Sequence, residues 1–556
     1  MKFNLKKLSV SKMKKNHSKS KKIFVPALCS ALFILLSCQS SLEAKKIYEQ
    51  PDYTVEDVRK EEIKRIDAIA ETDLVQAYWR AYLLNDEKTL VKYSDLVFDS
   101  YKKALEEKDY LSARKFAFAL EYLDSKKLPK LEKSSAELTK LCVEKLDSLD
   151  FSTATSVKVS ELIKGTVTVW VDKGIKVEKG IGYADRVIGS GFFISKDGYL
   201  ITNHHVIADL VDPKYEGYAR LYVKLAEDSE TRIPAKVIGW DSSVDLAVLK
   251  VEIDAPYVFK LGSSKGLEVG DKIYCIGSPI GLERTLTSGI VSASDRSLFS
   301  AGPVMQIDAA VNSGNSGGPC VDEEGNVQAI VFAGMLEYSG LNFAIPVEYL
   351  KAELPVLIAG GKYEHSWIEA NGRTRKIGGK DLGVELSYVM PGGSASRAGL
   401  KEGDLITSIE DSKIFTLEDL QKKMMGITSG YIVKISYVRG EEAEKSVLVY
   451  LSSRPLNPGY SFYKNDVLSS SFAAIFGMKL NPLSEGRRKY QINYVIKGSI
   501  ADESGFSEGD PIDVRNISFN QENTALYAEI YAKNRKKGYL DISMGLAAPL
   551  DSPNYF

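Results

Sequence analysis

The chain is organised around one hexapeptide, Gly314-Asn315-Ser316-Gly317-Gly318-Pro319. Glycines on both sides of a serine allow tight, partly left-handed turns, in which successive main-chain N–H groups converge beside the hydroxyl. Such a convergence can stabilise a negatively charged oxygen. A serine hydroxyl is a weak nucleophile near neutral pH unless a base, itself oriented by a third group, takes its proton. The hexapeptide therefore directs the search to a histidine and a carboxylate.

The candidate base lies in the segment Thr202-Asn203-His204-His205-Val206, directly after an apolar run. Only four histidines occur in the chain, and His17 belongs to an N-terminal segment that we expect to be removed. His204 and His205 cannot both serve, because neighbouring side chains point in different directions. Local chemistry leaves the choice between them open.

The candidate carboxylate is Asp245, which begins the apolar run Asp245-Leu246-Ala247-Val248-Leu249. Asp241 is the rival carboxylate, and we prefer Asp245 because it directly precedes the apolar run. A histidine oriented by a carboxylate can act first as general base and then as general acid. The order along the chain is histidine, aspartate, serine.

Further segments accompany these residues in a fixed order. They are Gly189-Ser190-Gly191-Phe192-Phe193-Ile194, Asp197-Gly198-Tyr199-Leu200-Ile201-Thr202-Asn203, Asp245-Leu246-Ala247-Val248-Leu249-Lys250, Gly277-Ser278-Pro279 and Thr287-Ser288-Gly289-Ile290-Val291-Ser292. Together with the serine hexapeptide they resemble the HtrA/Deg family of trypsin-like serine proteases. The resemblance selects His205 over His204 and implies the catalytic residues His205, Asp245 and Ser316. It also implies an oxyanion hole formed by Gly314, Asn315 and Ser316.

The resemblance further implies a chymotrypsin-like all-β double barrel with the active site between the barrels. The pattern of apolar residues agrees, because many short apolar runs separated by glycine favour antiparallel barrels over a doubly wound sheet. By the same resemblance, Ala310 lies six residues before the serine and forms the floor of the substrate pocket. The pocket residues would be Ala310, Ile330, Val331 and Phe332. None of them is charged, so we expect cleavage after small or medium apolar residues, and we expect Asp308 to have a structural role.

The N-terminal segment has the basic and apolar regions of a secretion signal, with lysines from Lys2 to Lys22 and an apolar run over 23–36. Leu35-Leu36-Ser37-Cys38 resembles a bacterial lipobox. We therefore expect a lipoprotein signal peptide over 1–37, a lipid on Cys38 and a tether over 38–50.

The three cysteines that follow, Cys142, Cys275 and Cys320, are widely spaced and indicate neither a disulfide framework nor a zinc site. We expect no metal and no cofactor.

Residues 51–155 are predicted to form an α-helical domain. No glycine occurs before Gly165, and apolar residues recur at helical spacing. The segment Ser134-Ser135-Ala136-Glu137 predicts a capping box at the start of the last helix. Stacked helix pairs of the tetratricopeptide type would bind peptides, whereas a helical spacer or cap would not. The sequence favours the spacer or cap.

The protease domain is expected over 156–355, followed by a PDZ domain over 360–454 and a second, diverged PDZ-like α+β domain over 460–556. The segment from Pro391 to Ile406 resembles the PDZ domain that follows the protease in this family, and 498–512 repeats its pattern. PDZ domains bind peptides by adding a strand to a sheet edge. Trp367, Ile368 and Glu369 lie at the expected peptide-binding loop, where Glu369 would repel a peptide carboxylate.

The resulting interpretation is a multidomain envelope serine endopeptidase that hydrolyses unfolded or damaged proteins. The alternative is a non-proteolytic peptide-binding chaperone or scaffold on a protease fold. A net charge of −1 gives no basis for a nucleic-acid partner. The expected partners are protein or peptide substrates and a membrane, through Cys38, and the resemblance implies a homotrimer.

Overall fold

The structure is a computed structural model that describes residues 48–123, 130–147, 158–228, 230–278, 285–299, 302–312, 314–334, 341–483, 488–534 and 540–556. The predicted signal peptide, Cys38 and most of the tether lie outside the described residues. Among the described residues, no helix combines the length and the apolar character that crossing a membrane requires.

The N-terminal region consists of helices, as predicted. They are α1 (Glu56–Ala70), α2 (Leu74–Leu84), α3 (Glu87–Glu106), α4 (Tyr110–Tyr122) and α5 (Ser135–Asp147). The capping box predicted for the last helix is confirmed, because the Ser134 N–H donates to Glu137 while the Glu137 N–H donates to the Ser134 hydroxyl. Buried alanine and aromatic side chains hold these helices together in one core.

The protease domain begins with a short helix and a first barrel. Its elements are α6 (Val159–Lys164), β1 (Thr166–Glu178), β2 (Ile181–Phe193), β3 (Tyr199–Thr202), α7 (His204–Val211), β4 (Arg220–Lys224), β5 (Ile233–Asp241) and β6 (Leu246–Val251). The strands run in the order β5-β4-β1-β2-β3-β6, and β5 also pairs with β6, so the sheet closes on itself. The valines that alternate along β1 point into its core.

A second barrel completes the protease domain. Its strands are β7 (Lys272–Gly277), β8 (Thr285–Phe299), β9 (Gly302–Ile307), β10 (Pro319–Val321), β11 (Val327–Gly334) and β12 (Asn342–Pro346), and helix α8 (Val347–Ala359) follows. The strands form a closed barrel in the order β10-β11-β12-β9-β8-β7. The serine hexapeptide leads directly into β10. Two of the buried cysteines, Cys275 and Cys320, face each other across β7 and β10 as free thiols.

The first PDZ domain combines one main sheet with two helices. A short strand β13 (Gly361–Lys362) links it to β5 of the first barrel. The remaining elements are β14 (Ser366–Trp367), β15 (Ala370–Ile377), β16 (Lys380–Val389), α9 (Ser394–Arg397), β17 (Asp404–Ile409), β18 (Ser412–Lys413), α10 (Leu417–Met425), β19 (Ile432–Arg439), β20 (Lys445–Tyr450) and β21 (Ser452–Ser453). The strands of the main sheet lie in the order β15-β16-β17-β19-β20.

The second PDZ domain has a five-stranded sheet in sequential order. Its elements are α11 (Pro458–Asn465), α12 (Leu468–Ile475), β22 (Met478–Pro482), β23 (Lys489–Val495), α13 (Ile500–Glu503), β24 (Pro511–Phe519), β25 (Ala525–Asn534) and β26 (Leu540–Pro549). A tight turn over 520–524 joins β24 to β25, whereas the first domain carries helix α10 between the corresponding strands. The architecture as a whole confirms the predicted fold class, namely a helical region, a double β-barrel and two mixed PDZ domains.

The helical region packs against the first PDZ domain. The Trp79 indole N–H donates to the Leu448 carbonyl on β20 at 2.8 Å, and its ring lies 5.9 Å from that of Tyr450. The Arg114 guanidinium donates to the Tyr431 hydroxyl at 3.0 Å. Because these aromatic side chains are buried, the helices share one core with the neighbouring PDZ strands over 432–439 and 445–450.

Replacing Trp79 by alanine should remove much of this shared core. Trp79 is 1% exposed, so we expect the Trp79→Ala change to lower the free energy of unfolding of the helical region by about 3–5 kcal/mol. Urea unfolding followed by circular dichroism at 222 nm measures the loss. Leu96→Ala is the control, because Leu96 is an exposed residue on α3. Equal losses in the two variants would contradict the proposed contribution of the interface.

Candidate active site

The carboxylate of Asp245 holds His205 at two points. Its Oδ2 lies 2.7 Å from the ring Nδ1 of His205, and its Oδ1 accepts the main-chain N–H of the same residue at 2.8 Å. The aspartate side chain is mostly buried, while the imidazole is 47% exposed. The second ring nitrogen is thus left on the more exposed side, where a general base needs it. His204 is half-buried, and burial lowers the pKa of its imidazole.

The backbone of Asp245 adopts an uncommon conformation, with φ at 60°. A residue other than glycine rarely occupies this left-handed region, and such residues cluster at functional sites. The Asn203 side-chain amide donates to the Asp245 carbonyl at 2.8 Å and supports this conformation. Asn203 lies immediately before α7, which carries His205, so the turn and the helix start are fixed together.

The serine loop reaches the first barrel through its glycines. Gly314 and Gly317 have φ values of 101° and 86°, as the glycine-rich sequence predicted. At Gly317 a side chain would lie 2.2 Å from the Ser190 carbonyl and 2.5 Å from the Thr202 hydroxyl, so only glycine fits. This close approach brings Ser316 next to the segment that carries His205.

The hydroxyl of Ser316 donates to the Phe332 carbonyl at 3.3 Å. Among the described residues, no hydrogen bond joins this hydroxyl to His205. Hydroxyl hydrogen bonds are normally shorter than this, so the contact is weak. Catalytic hydrogen bonds are often long or absent before substrate binds. No described residue accepts a hydrogen bond from the main-chain N–H of Gly314 or Ser316. Asn315 is buried between them, and its own N–H donates to the Asn312 carbonyl.

Ser190 ties the two barrels together at the site, a role that the sequence analysis missed. Its N–H donates to the Ser316 carbonyl at 2.7 Å, and its hydroxyl donates to the Gly314 carbonyl at 2.7 Å. The same hydroxyl accepts the Ser278 N–H at 2.9 Å. Glycines on both sides of a small polar residue within a strand are the signal that could have indicated such a close approach.

The expected pocket residues occupy two different environments. Ala310 is exposed and Phe332 is half-buried beside the serine. Ile330 and Val331 have no exposed surface. Ile330 packs between the two barrels, and Val331 packs inside the second barrel. Of these four residues, Ala310 and Phe332 are therefore the two that offer side-chain surface to a substrate. The Asp308 carboxylate accepts the Ile290 N–H at 2.6 Å, in agreement with a structural role.

The three residues expected at the PDZ peptide-binding loop lie together before β15. Trp367 and Ile368 are buried. Glu369 has a φ of 69°, and its carboxylate accepts the Ser394 N–H and the Ser452 hydroxyl at 2.7 and 2.6 Å. Both oxygens are therefore bound within the domain. The expectation that this carboxylate faces and repels a peptide is corrected, because it is directed to α9 and β21 instead.

Comparison with known families assigns domains to the four regions. Residues 189–330 match a trypsin-like peptidase domain, and residues 371–449 match a PDZ domain. Residues 459–550 match the TP0546 family PDZ domain. Residues 57–142 match a domain of unknown function, DUF8517.

Two curated relatives are described as probable periplasmic serine endoproteases, DegP-like. The protein of Pseudomonas fulva is 36% identical over 284 residues, which cover 49% of this chain and 57% of the relative. The protein of Brucella suis is 33% identical over 362 residues, which cover 62% of this chain and 67% of the relative. This chain belongs to the DegP-like family of serine endoproteases. It spans less than two thirds of the Pseudomonas fulva relative's length.

Solved structures similar to this DegP-like chain include the HtrA-type protease AlgW with a tripeptide. It is 27% identical, with a TM-score of 0.46, and the match covers 53% of this chain and 96% of AlgW. The same protease with a decapeptide is 25% identical, with a TM-score of 0.44 and coverage of 54% and 99%.

The rival carboxylate of the DegP-like chain, Asp241, lies in a different cluster. Asp241, Glu353 and His365 bring ligand-capable atoms within 4.8 Å of one another in the described chain. Asp241 Oδ2 is 2.5 Å from His365 Nε2, whereas two ligands of one zinc ion, each about 2.0–2.1 Å from the metal, lie farther apart. This geometry is that of a hydrogen-bonded pair. The pair connects β5 of the protease to the segment that enters the first PDZ domain, and Glu353 on α8 lies beside it.

Proton binding by Glu353 should make the stability of the DegP-like chain depend on pH. Burial, together with the neighbouring Asp241 carboxylate, raises the pKa of Glu353 well above its usual value. The stabilisation from its proton is complete below the unfolded pKa of about 4.5 and is lost as the pH rises toward the folded pKa. A Glu353→Gln variant does not lose this proton. Its stability relative to the natural chain should therefore increase from pH 5 to pH 8, by at most about 1.4 kcal/mol per pH unit.

Urea unfolding monitored by tryptophan fluorescence at each pH tests this expectation. Glu348→Gln makes the same chemical change on the same helix, at a half-buried side chain outside the cluster. If both variants followed the natural chain in parallel at all pH values, the protonated state of Glu353 would be excluded.

Proposed function

We propose that this chain is a serine endopeptidase that hydrolyses unfolded or damaged proteins through an acyl-enzyme. The observation that carries the proposal is the double attachment of His205 to Asp245, beside a serine loop in which the N–H groups of Gly314 and Ser316 have no acceptor among the described residues. An aspartate in this position fixes the imidazole tautomer and stabilises the imidazolium that forms during reaction. Membership of the DegP-like family supports the same conclusion.

The first chemical step is attack by the Ser316 hydroxyl on the carbonyl carbon of the scissile peptide. The hydroxyl first rotates from the Phe332 carbonyl toward His205, which takes its proton through the free ring nitrogen. The carbonyl oxygen becomes negatively charged as the new C–O bond forms. The N–H groups of Gly314 and Ser316, with Asn315 holding the turn between them, stabilise that oxygen.

The remaining steps return the proton and release the acyl group. The imidazolium of His205 donates its proton to the leaving amine nitrogen as the C–N bond breaks. Water then attacks the ester carbonyl and gives up a proton to His205, and His205 returns that proton to the Ser316 oxygen as the ester C–O bond breaks and the acid product leaves. Asp245 stays ionised throughout, and its role is to hold the ring and its charge.

The substrate preference follows from the two accessible pocket residues. Ala310 is small and uncharged, and Phe332 adds an apolar surface beside the serine. We propose that small or medium apolar residues such as Val, Ala or Leu precede the cleaved bond. Unfolded proteins expose such residues, whereas folded proteins bury them.

The remaining parts of the proposal concern location and assembly. The relatives described as periplasmic support an envelope location, and we propose that lipid on Cys38 attaches the chain to a membrane. We retain the proposed domain limits, namely 51–155, 156–355, 360–454 and 460–556 after the signal and tether. A homotrimer remains part of the proposal through the family resemblance.

Replacing Ser316 by alanine should abolish hydrolysis, because Ser316 is the proposed nucleophile and carries the one hydroxyl of the hexapeptide Gly314–Pro319. We expect cleavage of casein by Ser316→Ala to fall at least about a thousandfold and labelling by a fluorophosphonate probe to disappear. Ser264→Ala, in another loop of the same domain, is the control and should retain both. If the natural chain bound casein but neither cut it nor reacted with the probe, the chaperone alternative would replace the peptidase.

The pocket can be tested by changing its charge. Peptides with Val, Ala or Leu before the cleaved bond should be cut with kcat/KM at least about tenfold above peptides with Lys. Ala310→Asp should raise relative cleavage after Lys by attracting its ammonium group, whereas the neutral Ala310→Ser should not. An unchanged preference in Ala310→Asp would remove Ala310 from the substrate pocket.

A further inference from the structure

The last residues of the sequence add a strand to the first PDZ domain. The Phe556 N–H donates to the Ala370 carbonyl at 3.1 Å, and the Ala370 N–H donates to the Phe556 carbonyl at 3.0 Å. The Gly372 N–H donates to the Asn554 carbonyl at 3.2 Å. These bonds place the segment antiparallel to β15, with Tyr555 opposite Asn371. Because β15 is an outer strand of its sheet, the segment fills a free edge.

The Phe556 side chain is the anchor of this segment. It is 5% exposed and belongs to the core of the first PDZ domain, together with Ile368 before β15 and with Leu420 and Met424 on α10. Its ring crowds the Cα of Gly372, where a side chain would approach it to 2.8 Å. An aromatic ring therefore fills an apolar pocket between the edge strand and the helix.

The neighbouring residue Tyr555 faces the other way, as alternation along a strand requires. It is 4% exposed and packs edge-to-face on Phe462 at 5.2 Å, with its hydroxyl donating to the Ala474 carbonyl at 3.3 Å. Asn554 is exposed. The segment thus makes alternate side-chain contacts in addition to the main-chain bonds.

Side chains of the first PDZ domain also hold the approach to this segment. The Gln421 amide on α10 donates to the Pro553 carbonyl at 2.8 Å. The Arg454 guanidinium donates to the Asp551 carboxylate at 2.6 Å and to the Tyr555 carbonyl at 3.2 Å. Directly upstream, β26 belongs to the second PDZ domain. The second domain therefore supplies the chain that occupies the groove of the first.

Strand addition with one buried anchor is how extended peptides bind at a sheet edge, since main-chain bonds provide affinity and alternate pockets provide specificity. We propose that residues 554–556 are an intramolecular ligand of the β15–α10 groove, and that extended peptides bearing an aromatic anchor bind the first PDZ domain only by displacing them. The proposal does not rest on hydrolysis, and it extends the proposed function by naming the chemistry that the groove accepts.

The covalent connection between β26 and residues 554–556 makes this competition strong. A ligand attached through a short linker acts at an effective concentration of about 1 mM. If a free peptide of the same sequence bound with a Kd on the order of 10 µM, the attached segment would occupy the groove about 99% of the time and weaken the free peptide about 100-fold.

A labelled peptide with the sequence of residues 549–556, Pro-Leu-Asp-Ser-Pro-Asn-Tyr-Phe, tests the proposal by fluorescence anisotropy. The full chain carries Ser316→Ala, so that the peptide is not cut and failure of the proposed catalysis cannot affect the result. Phe556→Ala, and separately a chain lacking residues 553–556, should bind the peptide at least 10-fold more tightly than the chain with the intact segment. Tyr527→Ala, an exposed aromatic residue on β25, is the matched control and should leave the affinity unchanged. Equal affinities in all four chains would overturn the proposal.

A reversible crosslink supplies a test that does not depend on removing the anchor. Asn371 and Tyr555 face each other as a pair that exchanges no main-chain hydrogen bonds, for which a Cα separation of about 4.5 Å is typical. This separation falls within the range that a disulfide spans. In an Asn371→Cys/Tyr555→Cys chain, oxidation should abolish peptide binding and dithiothreitol should restore it. Failure of the two thiols to crosslink, or equal binding before and after reduction, would show that the segment does not occupy the groove.

Discussion

The two hydrogen bonds between Asp245 and His205 are the constraint on which the candidate site depends. One bond orients the imidazole and the other holds the first turn of α7, so the ring and its helix move as one unit. The left-handed backbone at Asp245 makes both bonds possible, and the Asn203 amide supports it. The uncommon backbone conformation of Asp245 thereby fixes the position of His205, the proposed base.

The second barrel meets this unit through main-chain contacts rather than through side-chain packing alone. Ser190 binds both Gly314 and Ser316, and Gly317 lies against Thr202 with no room for a side chain. The position of the nucleophile is therefore set by the first barrel as much as by its own loop. Small residues at this junction are required because two backbones approach each other directly.

The sequence predicted the elements of the fold and the order of the candidate catalytic residues, because the spacing of apolar residues, the turn glycines and the order of the motifs are local signals. It could not show that Ser190 binds residues more than a hundred positions away, since such pairing depends on the closed barrels. The family resemblance implied that Ile330 and Val331 belong to the pocket, although both are buried, because a motif match places a strand without showing which of its side chains the surrounding elements cover. The carboxylate of Glu369 was predicted to face a peptide. Its partners Ser394 and Ser452 come from distant elements, so no local pattern could indicate its direction.

Both outer strands of the first PDZ sheet are covered within the same chain. Helix α2 contacts β20 through Trp79, and the final residues pair with β15. An uncovered strand edge is a template on which other extended chains can pair and aggregate. For a protein whose proposed substrates are unfolded chains, an open edge would be exposed continually to partners able to extend the sheet. The covering of both edges makes this sheet a poor template for the addition of further chains.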